Sequence, residues 1–311
     1  MKAGYYNNMS NEEYHSSHAL SSSTLKKYSG RTHAHIEYER LNPKEETEAM
    51  FIGTLVHCLV LEPEEFEKEY IVRPADLEKP SSRILEAKKP SDASLVKIAK
   101  WESWLQEVGE KKEITIDQYN KASKMAKNVL EHPIMGHWFQ RDMNGMAEQS
   151  IFYWHKEDLV SDDQEQEDFT LCRVRPDWVI PGHPVIFDLK TSRDASFTGF
   201  MKQCHSLLYH VSAAMYLEGC NQCKAFTKAM DVLSFNKFVW VVVESEPPYL
   251  ATYYECSKED LSIGRQIYFS LMRKSEIYKK SDWKGYGEFV DGEITPEGRV
   301  SQIPNYGLNL A

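Results

Sequence analysis

No apolar run in this chain approaches the roughly 20 residues needed to cross a bilayer. The longest, Phe238 to Val243, is sufficient for one strand. The first residues, MKAGYYNNMSNEEYHSS, lack the basic and apolar regions of a secretory signal, so a cytoplasmic protein is expected. A basic excess is missing too: 37 Lys and Arg stand against 47 Asp and Glu, a formal net charge of −10. That balance argues against a nonspecific nucleic-acid coat bound by counterion release. It leaves room for a local basic groove, for which Lys26, Lys27 and Arg31, or Arg83, Lys88 and Lys89, are candidates, although such runs are commonly just solvated faces.

Regular cysteine spacing is also absent. The six cysteines (Cys58, Cys172, Cys204, Cys220, Cys223 and Cys256) lie irregularly in a chain with no export signal, so reduced thiols are expected. Cys220 and Cys223 form the one CxxC, two ligands where a structural zinc normally needs four, and they read as two thiols after a helix. No repeat at solenoid or propeller period occurs. What is present, 311 residues with 41% hydrophobic and 27% charged, is the profile of one elaborated globular domain.

The first part, residues 1–147, reads mainly helical. Ser21 to Ser23 offer N-caps for a short helix through Tyr28, and Phe51 to Leu61 is apolar nearly all round, as in a buried helix. Pro74 to Ser94 reads as a surface excursion; Val96 to Val108 and the stretch opened by the capping box Thr115 to Gln118, running to about Glu131, read as helices. Residues 148–256 change period. Gln149–His155, Leu171–Ile180, Val185–Lys190, Phe238–Glu244 and Ala251–Cys256 are β-branched or aromatic runs bounded by turn residues, hence five strands, with acidic Ser161 to Asp168 as a solvated loop. Phe200, Cys204, Leu207, Leu208, Val211 and Met215 predict one amphipathic helix of about twenty residues. A last helix is expected from about Lys258 to Lys280, followed by a tail to residue 311. The implied fold class is α/β (α+β): a mixed central β-sheet flanked by helices.

Chemistry concentrates in the segment from Arg173 to Thr191. Two strands meet at Pro181-Gly182-His183-Pro184, so Asp177 before the turn and Asp188 after it project side by side, and Lys190, two residues on, shares the face of Asp188. Two like charges at this spacing repel unless a cation lies between them, and Mg²⁺ takes such carboxylates while keeping waters for substrate. A lone DxK is usually an ordinary strand position. Here Asp188 ends the apolar run Val185, Ile186, Phe187, where a charge is rarely tolerated without a paired or metal partner. Phosphodiester hydrolysis is the matching reaction, with Lys190 orienting or deprotonating the attacking water or steadying developing charge.

Pro176-Asp177 followed by Asp188-Leu189-Lys190 resembles the bipartite signature of the PD-(D/E)xK nuclease superfamily. With Met9 to Tyr14, Leu20 to Leu25, Gly53 to His57 and Asp188 to Ser196 it further resembles the RecE-type phage and prophage exodeoxyribonucleases, over about residues 9–256. The resemblance implies a restriction-endonuclease-like core in a single nuclease domain. It also implies catalytic Asp177, Asp188 and Lys190, and metal ligation by His57, Asp177, Asp188 and the Leu189 carbonyl, with Glu148 a further candidate. Read alone, a histidine on an apolar helix is more often a core residue. DNA contacts are assigned to Tyr209, Tyr216, Arg175 and Arg193, and to Ser212 where relatives often carry glutamine in Gln-x-x-x-Tyr. The cofactor would be Mg²⁺, with Mn²⁺ as a substitute. Cys220, Cys223 and Cys256 lack the compact spacing of the iron–sulfur cluster that some superfamily members carry. The partners implied are linear duplex DNA ends, a single-strand-annealing recombination protein, and further copies of the chain closing a ring. A structure-specific or restriction-like endonuclease with the same site, and a DNA-binding module without catalysis, are the competing readings.

Overall fold

The computed structural model describes residues 1–155, 169–290 and 293–295. The chain opens with β1 (Gly4–Tyr6), α1 (Asn11–Ser16), β2 (Leu20–Ser21), α2 (Ser22–Lys27), α3 (His33–Leu41), α4 (Glu48–Leu61) and α5 (Pro63–Glu69). Then follow β3 (Tyr70–Val72), α6 (Ser82–Leu85), α7 (Asp92–Val108), β4 (Lys112–Ile114) and α8 (Ile116–Leu130). The sheet-rich part carries β5 (Met146–Ala147), β6 (Ser150–His155), β7 (Thr170–Val174), β8 (Trp178–Val179), β9 (Val185–Ser192), α9 (Phe197–Ser206), α10 (Tyr209–Gln222), α11 (Lys224–Ala229), β10 (Lys237–Glu244), β11 (Ala251–Glu255) and α12 (Lys258–Lys280). A hairpin, β12 (Glu288–Val290) with β13 (Glu293–Thr295), ends the described chain. Local chemistry sets several of these starts. Ser21 caps α2 by accepting from the Thr24 N–H, and Thr115 and Gln118 form the reciprocal capping box that opens α8.

The fold is the expected restriction-endonuclease-like α/β arrangement with a mixed sheet flanked by helices, and a second sheet stands beside the mixed one. One has the order β1-β6-β7-β2; the other, β11-β10-β9-β8-β5, joins the parallel pair β9–β10 to antiparallel neighbours. In β10, Phe238, Trp240 and Val242 face the core shared with α9–α12, while Val239, Val241 and Val243 face the core shared with α4 and α8. Burial on both faces explains why this strand reads as an unbroken apolar run.

Four sequence expectations are revised. Leu171–Ile180 is not one strand: Pro176 has no N–H to give a ladder, and the chain breaks there and passes from β7 in the first sheet to β8 in the second. The twenty-residue amphipathic helix is α9 and α10, broken where Leu208 takes a left-handed φ of 52°. The apolar spacing continues across the break, which hides it in the sequence. The excursion after Pro74 contains α6 and the start of α7. Short strands β1, β2 and β5 were not legible, being two or three residues long. The acidic loop Ser161 to Asp168 lies outside the described residues. All six cysteines are free, with Cys220 and Cys223 packed in the core beneath α10. Among the described residues no helix is long and apolar enough to cross a membrane.

The β5–β8 pairing, Met146 with Val179 and Ala147 with Trp178, carries the chain to Glu148. It depends on Gly145, whose added Cβ would stand 2.0 Å from Trp178 Cζ2. Gly145→Ala is expected to cost about 1–3 kcal/mol by overpacking, read as a lowered urea midpoint at unchanged slope; wild-type stability in this variant would show that the Trp178 ring yields freely.

Candidate metal and nuclease site

The site forms just before β8 begins. Trp178 pairs with Phe187 and Val179 with Ile186; continued by one residue, that register sets Asp177 opposite Asp188. The backbone stops pairing there and the side chain substitutes for it: Leu189 N–H donates to Asp177 Oδ2 at 2.8 Å. On the other side of Leu189, its carbonyl accepts from His57 Nε2 at 2.8 Å. His57 projects from α4, whose apolar residues Leu55 and Val56 pack into the core under β9.

One donor atom each from His57, Glu148 and Asp177 lie within 4.8 Å of one another. In the tautomer that donates from Nε2, the imidazole presents a bare Nδ1 to Asp177 Oδ2 3.7 Å away, and a shared cation relieves this meeting of lone pairs. An imidazole with two carboxylates suits a divalent ion. Glu148 sits in a left-handed turn (φ 49°), and its N–H donates to the Asp177 carbonyl at 3.1 Å. Burial, then the neighbouring Asp177, pushes its carboxyl well above the ordinary range, against the pull of Arg175.

The expected residues are placed as follows. Asp188 is buried and turns to Lys190, Oδ2 to Nζ 2.5 Å, outside the His57–Glu148–Asp177 trio. Burial raises the Asp188 carboxyl, Lys190 opposes the rise and Asp177 adds to it. Burial works against charge on Lys190, but Asp188 and Asp177 outweigh it and hold the ammonium above its usual value. Lys190 Nζ also lies 3.4 Å from the Leu189 carbonyl and 5.6 Å from the centre of the Tyr209 ring. Tyr216 is half-buried and packs edge-on against Phe238; its hydroxyl is raised by burial and then by Tyr14, Asp177, Asp188 and Glu148, so it borders the carboxylates. Ser212 is half-buried on α10, and Arg193 is exposed just past β9.

Arg175 is turned away from any ligand. It is 5% exposed and donates to Ser150 Oγ, Asn11 Oδ1 and the Met9 carbonyl, with Glu148 at 3.9 Å. It therefore positions Glu148 and ties down the N-terminal segment.

Three neighbours of the site were not assigned to it from the sequence. Glu62, at the end of α4, acts on Glu148 electrostatically; its own carboxyl is raised by burial and by Glu65 and Glu69. Gln203 accepts from Ser192 Oγ and donates to the Tyr209 hydroxyl at 3.1 Å, fixing that ring beside Lys190. Lys26 Nζ stands 5.3 Å from the centre of the same ring. Glu62 and Gln203 carried no signal in the sequence; Lys26 was legible there as part of the candidate basic patch with Lys27 and Arg31, but not as a neighbour of Lys190.

Residues 21–291 match the family described as a PDDEXK-like domain of unknown function (DUF3799). The chain belongs to this PDDEXK-like family. A crystal structure from Eubacterium rectale, of a protein provisionally named an exonuclease, shares the fold at 13% identity and a TM-score of 0.51, covering 87% of this chain and 86% of that one. A second structure, SSO0001, is 14% identical over 71% of this chain and 85% of its own, with a TM-score of 0.28 too low to carry argument. No curated protein matches. PDDEXK-like membership, with His57, Glu148 and Asp177 close enough to share one cation, supports a nuclease using a divalent metal.

The raised carboxyls give a pH signature. Glu148 and Asp188 hold protons more tightly folded than unfolded, so their contribution to stability is complete below the ordinary carboxylate range and is lost as pH rises through the raised values. In EDTA, Glu148→Gln removes one half-buried charge, and its melting temperature is expected to gain on wild type increasingly as pH rises above the ordinary carboxylate range. Added Mg²⁺ should then stabilise the variant less than wild type. A gap between the two proteins that stays flat with pH contradicts the assignment.

Proposed function

We propose that the protein is a Mg²⁺-dependent exodeoxyribonuclease, with Mn²⁺ as a substitute. It degrades linear double-stranded DNA from its ends, 5′ to 3′, and leaves 3′ single strands for a single-strand-annealing recombination protein. The observation that carries the reading is the junction at β9: His57, Glu148 and Asp177 converge beside the Asp188–Lys190 pair. The polarity and partner rest on the resemblance to RecE-type enzymes.

His57, Glu148 and Asp177 would hold the ion, with Asp188 and the Leu189 carbonyl adjoining. When bound, it supplies Lewis-acid polarisation of the scissile phosphate and lowers the pKa of a bound water. The chain's own part is electrostatic and positional. Lys190, kept charged by Asp188, presents an ammonium to charge developing on the phosphate. Tyr209, held by Gln203, walls the same space. Arg175, 3.9 Å away, keeps Glu148 beside Asp177 as a ligand to that ion.

The net charge of −10 is compatible with a polyanion substrate if copies of the chain close a ring, because a channel needs positive charge only on its inner wall. Light scattering that finds a monomer would remove the ring and leave the metal site in place. The same chemistry in a structure-specific endonuclease is separated by substrate: supercoiled closed circles should survive while linear duplex disappears, and EDTA should stop the loss. Nicked or linearised circles would favour the endonuclease.

Asp177→Ala and Asp188→Ala should abolish cleavage, and Lys190→Ala should lower kcat by about 10²- to 10³-fold. Mg²⁺ affinity by calorimetry is expected to fall in Asp177→Ala and to be largely kept in Lys190→Ala. Wild-type turnover in any of the three refutes the site.

A further inference from the structure

A groove of about 1310 Å³ runs between α2 with its following turn and the α9–α10 corner, and Tyr209 lines its inner end. One wall carries Lys26, Lys27 and Arg31; the other carries Lys202, Phe197 and Leu207. No acidic side chain lines it. Glu39, outside the lining, pairs with Lys27 at 3.0 Å and with Arg31, whereas Lys26 pairs with no carboxylate among the described residues. Phe197 is 68% exposed and Leu207 48%.

Resting on the nuclease reading above, we propose that this groove holds a single unpaired DNA strand and delivers it to the site at Lys190. Continuity supports the direction: Lys26 and Lys190 stand over the same Tyr209 ring, at 5.3 and 5.6 Å from its centre, so a cationic path leads from the groove mouth to the Asp188–Lys190 pair. The wall chemistry selects the occupant. Duplex DNA shows a protein phosphates and groove edges, while unpaired bases offer faces that stack on aromatic and apolar side chains. Exposed Phe197 and Leu207 set among lysines provide stacking surface and phosphate contacts together, so the strand entering the site is separated from its complement before it is cut.

The test is fluorescence anisotropy in EDTA, where nothing is cut, with a labelled oligothymidylate of about a dozen nucleotides and a blunt hairpin duplex of equal length. Phe197→Ala should weaken single-strand binding about five-fold or more, and Lys202→Ala should reduce the salt dependence of log K by about 0.7. Hairpin affinity should change much less, and melting temperature and Mg²⁺ binding should stay as in wild type. Lys202→Glu, a charge reversal on an exposed position, should weaken the oligothymidylate further. The proposal is overturned if wild type does not bind the oligothymidylate, if the variants bind it as wild type does, or if single strand and hairpin lose affinity equally. Failure of the nuclease reading looks different: intact linear DNA and no Mg²⁺ binding in wild type, whatever the anisotropy shows.

Discussion

Just before β8 begins, a side chain stands in for its ladder. Pro176 cannot donate, the pairing of β8 with β9 reaches no further than Phe187, and Leu189 N–H is met by the carboxylate of Asp177. A hydrogen bond to a charged acceptor contributes about 1.5–3 kcal/mol, part of what offsets burying that carboxylate. The substitution fixes everything nearby. It faces Asp177 toward Asp188, leaves the Leu189 carbonyl to His57, and draws Glu148 in through its N–H to the Asp177 carbonyl. One chain break thus gathers groups from α4, the turn after β5, the residue before β8, and β9, with His57 and Leu189 132 positions apart in sequence.

Holding these carboxylates together costs stability, and the fold spreads the cost over two tethers. Arg175 reaches Glu148 from below while its other nitrogens bind the backbone and side chains of residues 9–11, so the N-terminal segment is fastened to the back of the site. Lys190 compensates Asp188 from the α9–α10 side. What stays uncompensated is the approach of Glu148 to Asp177 and of His57 Nδ1 to Asp177. Stability is given up there in return for an arrangement already shaped for a cation, as is common at functional sites.

How much of this was legible follows from the range of each signal. Asp177, Asp188 and Lys190 lie within 14 residues of one another in a hairpin, and strand alternation alone puts Asp188 and Lys190 on one face. The Lys258–Lys280 helix and the capping box at Thr115 rest on contacts three or four residues apart and were equally readable. His57 depended on resemblance, because nothing around it in α4 records that Leu189 will lie opposite. The switch of sheets at Pro176 was written in the sequence as a proline within an apolar run, yet the β-branched residues on both sides masked it. The break at Leu208 was masked in the same way, and it is what turns Tyr209 toward Lys190. Lys26 shares that ring from a helix 183 positions upstream of Tyr209, a separation at which periodicity carries no information.

The Asp188–Lys190 pair also decides which chemistry the lysine suits. A lysine that removes a proton from water must itself be neutral, which calls for burial without anions or for neighbouring cations. Lys190 has burial acting in that direction, but Asp188 at 2.5 Å and Asp177 behind it reverse the result and keep the ammonium charged. A fixed positive charge is useful where negative charge grows on a phosphate, and useless as a base. Across the junction, burial and then Asp177 raise the Glu148 carboxyl, and its left-handed turn and its Arg175 contact keep it against Asp177. Two lines of charge therefore divide the work, cationic along Lys26, Tyr209 and Lys190, and anionic along Asp177, Glu148 and Glu62, with the end of β9 as the seam between them.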